Sequence, residues 1–267
     1  MKRVLVGTFL ALLLALAGCG GESGGDSQTT ATPTDSTTTS SAPEPEEGDL
    51  SLASGGSVRY RCVGQGTPAI LLEAGTGSGG TDSLPPSFVD PLAEATRVCT
   101  YDRLGTGLSD APPKGKRSND DLCDVQDEVR EKLGLAEPSV LVGQSGGANL
   151  VIWCASRNPA AVAALVSIEG GHDDPADLKG GGFTWRDDSE HMDYVESSTM
   201  LDEMSMPIGS FPVLVITASE GGPRAVKNQK YWLALSPKSR QVVLQGGHDL
   251  HEEVPEQVVA EILQELP

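Results

Sequence analysis

The stretch Ser139-Val-Leu-Val-Gly-Gln-Ser-Gly-Gly-Ala-Asn-Leu150 constrains this chain more than any other. Val140, Leu141 and Val142 favour a buried strand, and residues 148–155 suit a buried helix. Between them, Gly143-Gln-Ser-Gly-Gly147 must turn sharply from strand to helix. Such a turn forces Ser145 into a strained conformation, tolerable where its flanks lack side chains, as at Gly143 and Gly147. The hydroxyl then stands clear of the sheet, and the helix start aims free N–H groups at the same spot. In a chain with 32 glycines the five-residue string alone is a weak signal, and the bland alternative is a glycine-rich turn with an inert serine. The other stretches decide between the two.

The N-terminus reads as an address. Lys2-Arg3 precede an apolar run over residues 4–17 that is too short to span a membrane, so residues 1–18 are expected to be a signal peptide. Leu16-Ala-Gly-Cys19 resembles a bacterial lipobox, which makes Cys19 the expected lipidation site and the outer face of the cell membrane the expected location. Residues 19–48 are nearly all Gly, Ser, Thr, Asp, Glu, Pro and Gln, and are expected to form a disordered tether. A coil of that length reaches about 30 Å root-mean-square, enough to hold a globule just off a membrane. Residues 49–267, about 220 in all, suffice for one sizeable domain.

The formal net charge is −19, and export would remove two positive charges more with Lys2 and Arg3. A surface of that sign excludes nucleic acid as a partner and leaves the lipid anchor as the expected membrane contact. Besides Cys19 there are four cysteines, Cys62, Cys99, Cys123 and Cys154. In an oxidising compartment an even count suggests two disulfides, with three possible connectivities. Cys62 and Cys99 fall on candidate strands, while Cys123 and Cys154 fall on candidate helices flanking the Ser145 strand, which favours pairing them in that way. No C-x-x-C spacing suggests a metal, and no cofactor is expected.

Along the domain, residues 50–53 and 58–63 read as a hairpin turning at residues 54–57. Strands are expected at residues 69–74, 97–101, 140–142, 161–168, 211–217 and 241–245. Helices are expected at residues 120–133, capped by Asn119 or Asp120, then at 148–155, 226–235 and 256–266. Strands alternating with helices predict a mostly parallel central sheet with helices on both faces.

Four stretches now carry a resemblance: Leu72-Glu-Ala-Gly-Thr76, Tyr101-Asp-Arg-Leu-Gly-Thr-Gly-Leu-Ser109, Gly143-Gln-Ser-Gly-Gly147 and Gly247-His-Asp-Leu-His-Glu-Glu-Val-Pro255. From about Leu50 to its end the chain resembles the α/β-hydrolase superfamily. Ala74-Gly75 stands where relatives carry His-Gly. The resemblance implies an α/β-hydrolase fold with Ser145 as nucleophile and His248 as its base, since a serine hydroxyl is a poor nucleophile unaided. It also implies an oxyanion hole formed by the backbone amides of Gly146 and Thr76. His251 is expected to pack or to line the pocket, and His172 and His191 to be surface or cap residues. The acid should lie between nucleophile and histidine in the chain. Glu169 ends one apolar strand and is the expected acid. Glu220, after a later strand, is the alternative, and Asp173 or Asp174 stand behind both. Asp102 is expected to tie down its own loop.

Residues 170–207, between Glu169 and the next strand, are expected to form a short cap that governs substrate choice. They include Trp185, Tyr194 and Met200-Leu-Asp-Glu-Met-Ser-Met206, whose methionines would either wall an apolar acyl site or pack the cap onto the core. A serine at the elbow, rather than the aspartate of dehalogenases and epoxide hydrolases, implies acyl transfer to water. The expected protein is an exported serine hydrolase, a carboxylic ester hydrolase acting on a small-molecule ester or related acyl substrate. Two alternatives stay open. One is a peptidase or amidase of the same fold, with Asp173, Asp174, Asp187 and Asp188 recognising an amine. The other is a non-catalytic, ligand-binding surface lipoprotein.

Overall fold

The computed structural model describes residues 44–135, 138–172, 175–180 and 188–267. The expected signal peptide, Cys19 and most of the expected tether lie outside the described residues, as do Asp173, Asp174, Trp185 and Asp187.

Among the described residues, one sheet is built from β1 (Glu46–Ser51), β2 (Ser57–Val63), β3 (Ile70–Glu73), β4 (Val98–Tyr101), β5 (Ser139–Gln144), β6 (Val162–Ile168), β7 (Val213–Ala218) and β8 (Ser239–Leu244). Their spatial order is β1-β2-β4-β3-β5-β6-β7-β8. The β1–β2 and β2–β4 pairs are antiparallel, and every other pair is parallel. A period of two divides the strand residues between two cores. Leu71, Leu141, Leu165 and Val213 face one core, and Ile70, Val140, Ala164 and Leu214 the other.

Helices cover both faces. On the first, α3 (Asn119–Lys132) and α4 (Gly146–Arg157) bring in Val125, Val129, Val151 and Ile152. On the second, α2 (Pro86–Ala95) and α9 (Pro255–Leu263) bring in Phe88, Leu92, Val258 and Ile262. Each such side chain, fully buried, contributes about 1.5–3 kcal/mol. The shorter helices are α1 (Gly80–Ser83), α5 (Pro175–Gly180), α6 (Tyr194–Asp202), α7 (Gly222–Gln229) and α8 (Leu250–Glu253), with α5 and α6 lying in the cap region.

Three local expectations are corrected. Strand β1 starts at Glu46, inside the stretch expected to be tether, because its backbone pairs with β2 from Glu46↔Cys62 to Ser51↔Ser57. Glu46 and Glu47 also pair with Arg97 and Arg59, charges that suit a sheet edge. Helix α3 is capped by Ser118, not by Asn119 or Asp120, through a reciprocal capping box with Asp121. Helix α2 was not anticipated.

Both expected disulfides are present. Cys62 and Cys99 stand opposite each other in the β2–β4 register, and Cys123–Cys154 joins α3 to α4 across a Cα–Cα distance of 5.3 Å.

Candidate active site

The C-terminal ends of the parallel strands gather the candidate residues, the edge at which open α/β sheets bind ligands. Ser145 directly follows β5, with φ 53° and ψ −120°. A Cβ at Gly143 would strike the Gly147 carbonyl, and one at Gly147 would strike the Ala74 and Glu73 carbonyls, so both positions require glycine. Glu169 directly follows β6 and also has a positive φ, 55°. His248 sits in the loop after β8. That loop is held where Glu220 N donates to Gly246 O at 3.1 Å and Gly247 N to Glu253 Oε2 at 2.8 Å.

These three side chains form one hydrogen-bonded chain. His248 Nε2 lies 2.9 Å from Ser145 Oγ, and His248 Nδ1 lies 3.2 Å from Glu169 Oε2. The other carboxylate oxygen, Glu169 Oε1, accepts from Ala218 N at 2.6 Å and from Gln229 Nε2 at 2.9 Å. Gln229 is itself fixed by Thr217, whose hydroxyl donates to Gln229 Oε1 at 2.8 Å. Burial pushes the Glu169 carboxyl up, but the His248, Ala218 and Gln229 hydrogen bonds outweigh it and leave the pKa below the ordinary carboxylate value. The Glu169 hydrogen bond raises the His248 pKa above the ordinary imidazole value, against burial. Glu220, the alternative acid, is exposed and meets the His248 loop through its backbone amide. The reach of Glu169 puts a β6 carboxylate over the end of β7, beside Ala218.

The expected oxyanion amides also converge. Gly146 is the first residue of α4, so no intrahelical bond uses its N–H. Thr76 lies so close that a Cβ at Gly146 would collide with its hydroxyl. The loop carrying Thr76 is clamped by a buried ion-pair network that the sequence reading missed. Arg103 donates to the Ala74 and Gly75 carbonyls, each at 2.8 Å. It also pairs with Glu190 at 2.6 Å and Glu73 at 3.1 Å. Glu190, from the cap, accepts from Gly77 N at 2.9 Å. Burial pushes Glu190 up, but the Arg103 charge dominates and holds its pKa below the usual carboxylate range. Tyr194 in α6 hydrogen-bonds to Thr76 and Asp188, and burial raises its pKa. The signal available for Arg103 was its place beside Asp102 in the quoted loop motif; Glu190 and Gln229 had none.

Asp102 ties down its loop as expected, accepting from Thr81 N and Leu108 N at 2.8 Å. His251 is buried edge-on to Phe88, a packing role, and burial lowers its pKa. His172 is more than a surface residue: it stacks on Tyr231 at 3.7 Å and lies 3.2 Å from Asp202. His191 Nδ1 lies 3.1 Å from the Pro113 carbonyl. Met204 and Met206 pack against the core, as the blander alternative had it. A cavity of about 70 Å³ lies beside Thr76 and Gly146, with Met192 and Leu201 among its lining residues. Among the described residues, no group of three or more His, Cys, Asp or Glu is placed to hold a metal ion.

A mostly parallel sheet with an antiparallel β2, a serine on a strained strand-to-helix turn and a histidine after the last strand define the α/β-hydrolase fold. Residues 68–180 match the family described as alpha/beta hydrolase fold. The chain is similar to 2-hydroxymuconate semialdehyde hydrolase of Pseudomonas putida, with 32% identity over 124 residues that cover 46% of this chain and 43% of that protein. The chain therefore spans less than half the length of that curated relative. Among solved structures, a thermophilic esterase from Thermogutta terrifontis aligns with TM-score 0.65 and 19% identity, covering 82% of this chain and 97% of that one. The enol-lactonase from Burkholderia xenovorans LB400 aligns with TM-score 0.65 and 18% identity, covering 82% and 99%. The chain has the α/β-hydrolase fold, and its residues 68–180 carry the family match.

Proposed function

We propose that this protein is a serine hydrolase that cleaves carboxylic esters through an acyl-enzyme on Ser145. The unbroken chain Ser145–His248–Glu169 is the observation that carries this reading. In this reading His248 Nε2 takes the Ser145 proton as Oγ attacks the acyl carbon. The oxyanion that forms accepts from the Gly146 and Thr76 amides. As it collapses, the ester C–O bond breaks and His248 returns the proton to the leaving alkoxide. Water, deprotonated by His248, then attacks the acyl-enzyme; the acid leaves and Ser145 regains its proton. Glu169 holds the imidazole in place and offsets its charge. The names of the two structural neighbours, an esterase and an enol-lactonase, support an ester as the bond attacked.

The test is fluorophosphonate labelling of the chain beside Ser145→Ala and His248→Ala. The expected result is labelling of the parent that both variants lose. A folded parent that stays unlabelled would remove Ser145 as nucleophile.

We also propose that the protein is exported and held at the outer face of the cell membrane by lipidated Cys19. The lipobox-like Leu16-Ala-Gly-Cys19 and the two disulfides support this. Cys19→Ser is expected to move the protein from the membrane fraction to the medium; unchanged fractionation would count against the anchor.

A further inference from the structure

We propose that the acyl side of this site takes short, uncharged acyl groups, up to about four carbons, and that Met192 of the cap sets the limit. The inference rests on the ester-hydrolase reading above and goes beyond it to the substrate class.

The size argument comes from the cavity beside the two proposed oxyanion amides. Its volume is about 70 Å³, and Thr76 and Gly146 form part of its lining. An apolar protein cavity of about 150 Å³ takes up benzene, with six carbons. Half that space admits about three carbons beyond the acyl carbonyl, which is butyryl. Its apolar wall comes from Leu122 and Leu150 on the core side and from Leu178, Met192 and Leu201 on the cap side. Leu122 and Leu150 lie in one tight cluster with the Cys123–Cys154 disulfide, so that wall is braced. The main chain of Met192 is fixed by a 2.8 Å bond from its N–H to Asp188 Oδ2 and by bridging with Arg117. Its unbranched side chain remains the adjustable part of the boundary.

The charge argument comes from the polar groups at the same cavity. Arg103 lines it, but its guanidinium is already engaged by Glu190, Glu73 and two carbonyls. Asn119 donates to the Ser197 carbonyl at 3.3 Å, and Ser197 Oγ to Met192 Sδ at 3.4 Å. A carboxylate on the acyl chain would meet Glu190 and find Arg103 already paired. Burying it there would be costly. Acetyl, propionyl and butyryl groups ask for none of these partners.

The experiment is a series of p-nitrophenyl esters, acetyl, butyryl, hexanoyl and octanoyl, with a succinyl monoester, run on the full chain and on Met192→Ala. In the parent, kcat/KM is expected to rise about fourfold per methylene up to butyryl. By octanoyl it should fall at least a hundredfold, and the succinyl ester should sit with the octanoyl one. Met192→Ala removes three heavy atoms from the wall and is expected to raise the octanoyl-to-butyryl ratio at least tenfold. That ratio is insensitive to how much of the variant folds. A parent profile flat or still rising at octanoyl, or a ratio unmoved in Met192→Ala, overturns this inference and leaves the ester-hydrolase reading standing. Failure of every ester, together with no fluorophosphonate labelling of Ser145, overturns that reading and this inference with it.

Discussion

At the end of β6, Glu169 holds a left-handed backbone, φ 55°, that a non-glycine residue adopts at a cost of about 1–3 kcal/mol. Three donors fix its carboxylate: the Ala218 amide, the Gln229 amide group and His248. In the proposed mechanism that arrangement makes Glu169, and not Glu220, the partner whose loss should matter. Glu169→Gln is expected to lower kcat about 10³- to 10⁴-fold, the range seen when a triad acid is made neutral. Glu220→Gln should stay within about twofold of the parent, since Glu220 is exposed and acts through its backbone. The pH profile gives a second check. In the proposed mechanism His248 works as a base when neutral, and its pKa is raised, first by the Glu169 hydrogen bond. Activity should therefore climb with pH through a midpoint above the ordinary imidazole value of 6.5. In Glu169→Gln that midpoint should move down. Steady-state kcat/KM against pH for the three proteins measures both effects, and a midpoint that Glu169→Gln leaves in place would contradict the assignment.

At the scale of elements, the Thr76 loop after β3 is fixed from two sides, by Arg103 below and by cap residue Glu190 above. Removing one partner of a buried ion pair costs about 3–5 kcal/mol, because the other is left buried and underpaired. Glu190→Gln keeps the shape and loses the charge, so unfolding in urea should show a loss near the lower end of that range. It should also cut kcat by about 10- to 100-fold, because the Thr76 amide, an oxyanion donor in the proposed mechanism, loses its backing. The Glu190 pKa is depressed from its model-peptide value of 4.5. Its stabilising share is therefore complete above that value and lost as pH falls through the folded pKa. The parent should lose more stability than Glu190→Gln over that acid window. The same elements show what was legible in the sequence. Ser145, Glu169 and His248 each follow an apolar strand run, and strand ends are where α/β sheets put chemistry. Arg103 and Glu190 stand 87 residues apart, and Glu190 lies in a stretch with no clear period, so no local pattern announces their pairing. Helix α2 carries Pro85 and Pro86 at its start and Pro91 inside it, residues that ordinarily break helices. Yet Pro85 and Pro86 occupy the N-cap and first helical position, where no intrahelical amide is needed, and Phe88, Val89 and Leu92 supply the buried face.

For the molecule as a whole, the two disulfides brace separate parts of the fold, one within the sheet and one between two helices. Cys62–Cys99 staples β2 to β4, and Cys123–Cys154 staples α3 to α4, the helix that carries the amide of Gly146. They span 37 and 31 residues of sequence, so each limits the unfolded chain to a similar degree. By chain-entropy reasoning, removing either contributes a loss of about 2–5 kcal/mol. Their effects on activity should differ, because only the second lies against a wall of the cavity, through Leu122 and Leu150. The paired variant Cys62→Ser/Cys99→Ser is expected to unfold at lower urea with its acyl-chain profile unchanged. In Cys123→Ser/Cys154→Ser a similar loss of stability should come with a broadened profile, as α3 and α4 gain freedom to part. Urea midpoints and the octanoyl-to-butyryl ratio, measured on both variants, separate the two roles. Equal ratios in the two would mean that the second staple secures the fold alone and that the cavity wall is braced by packing.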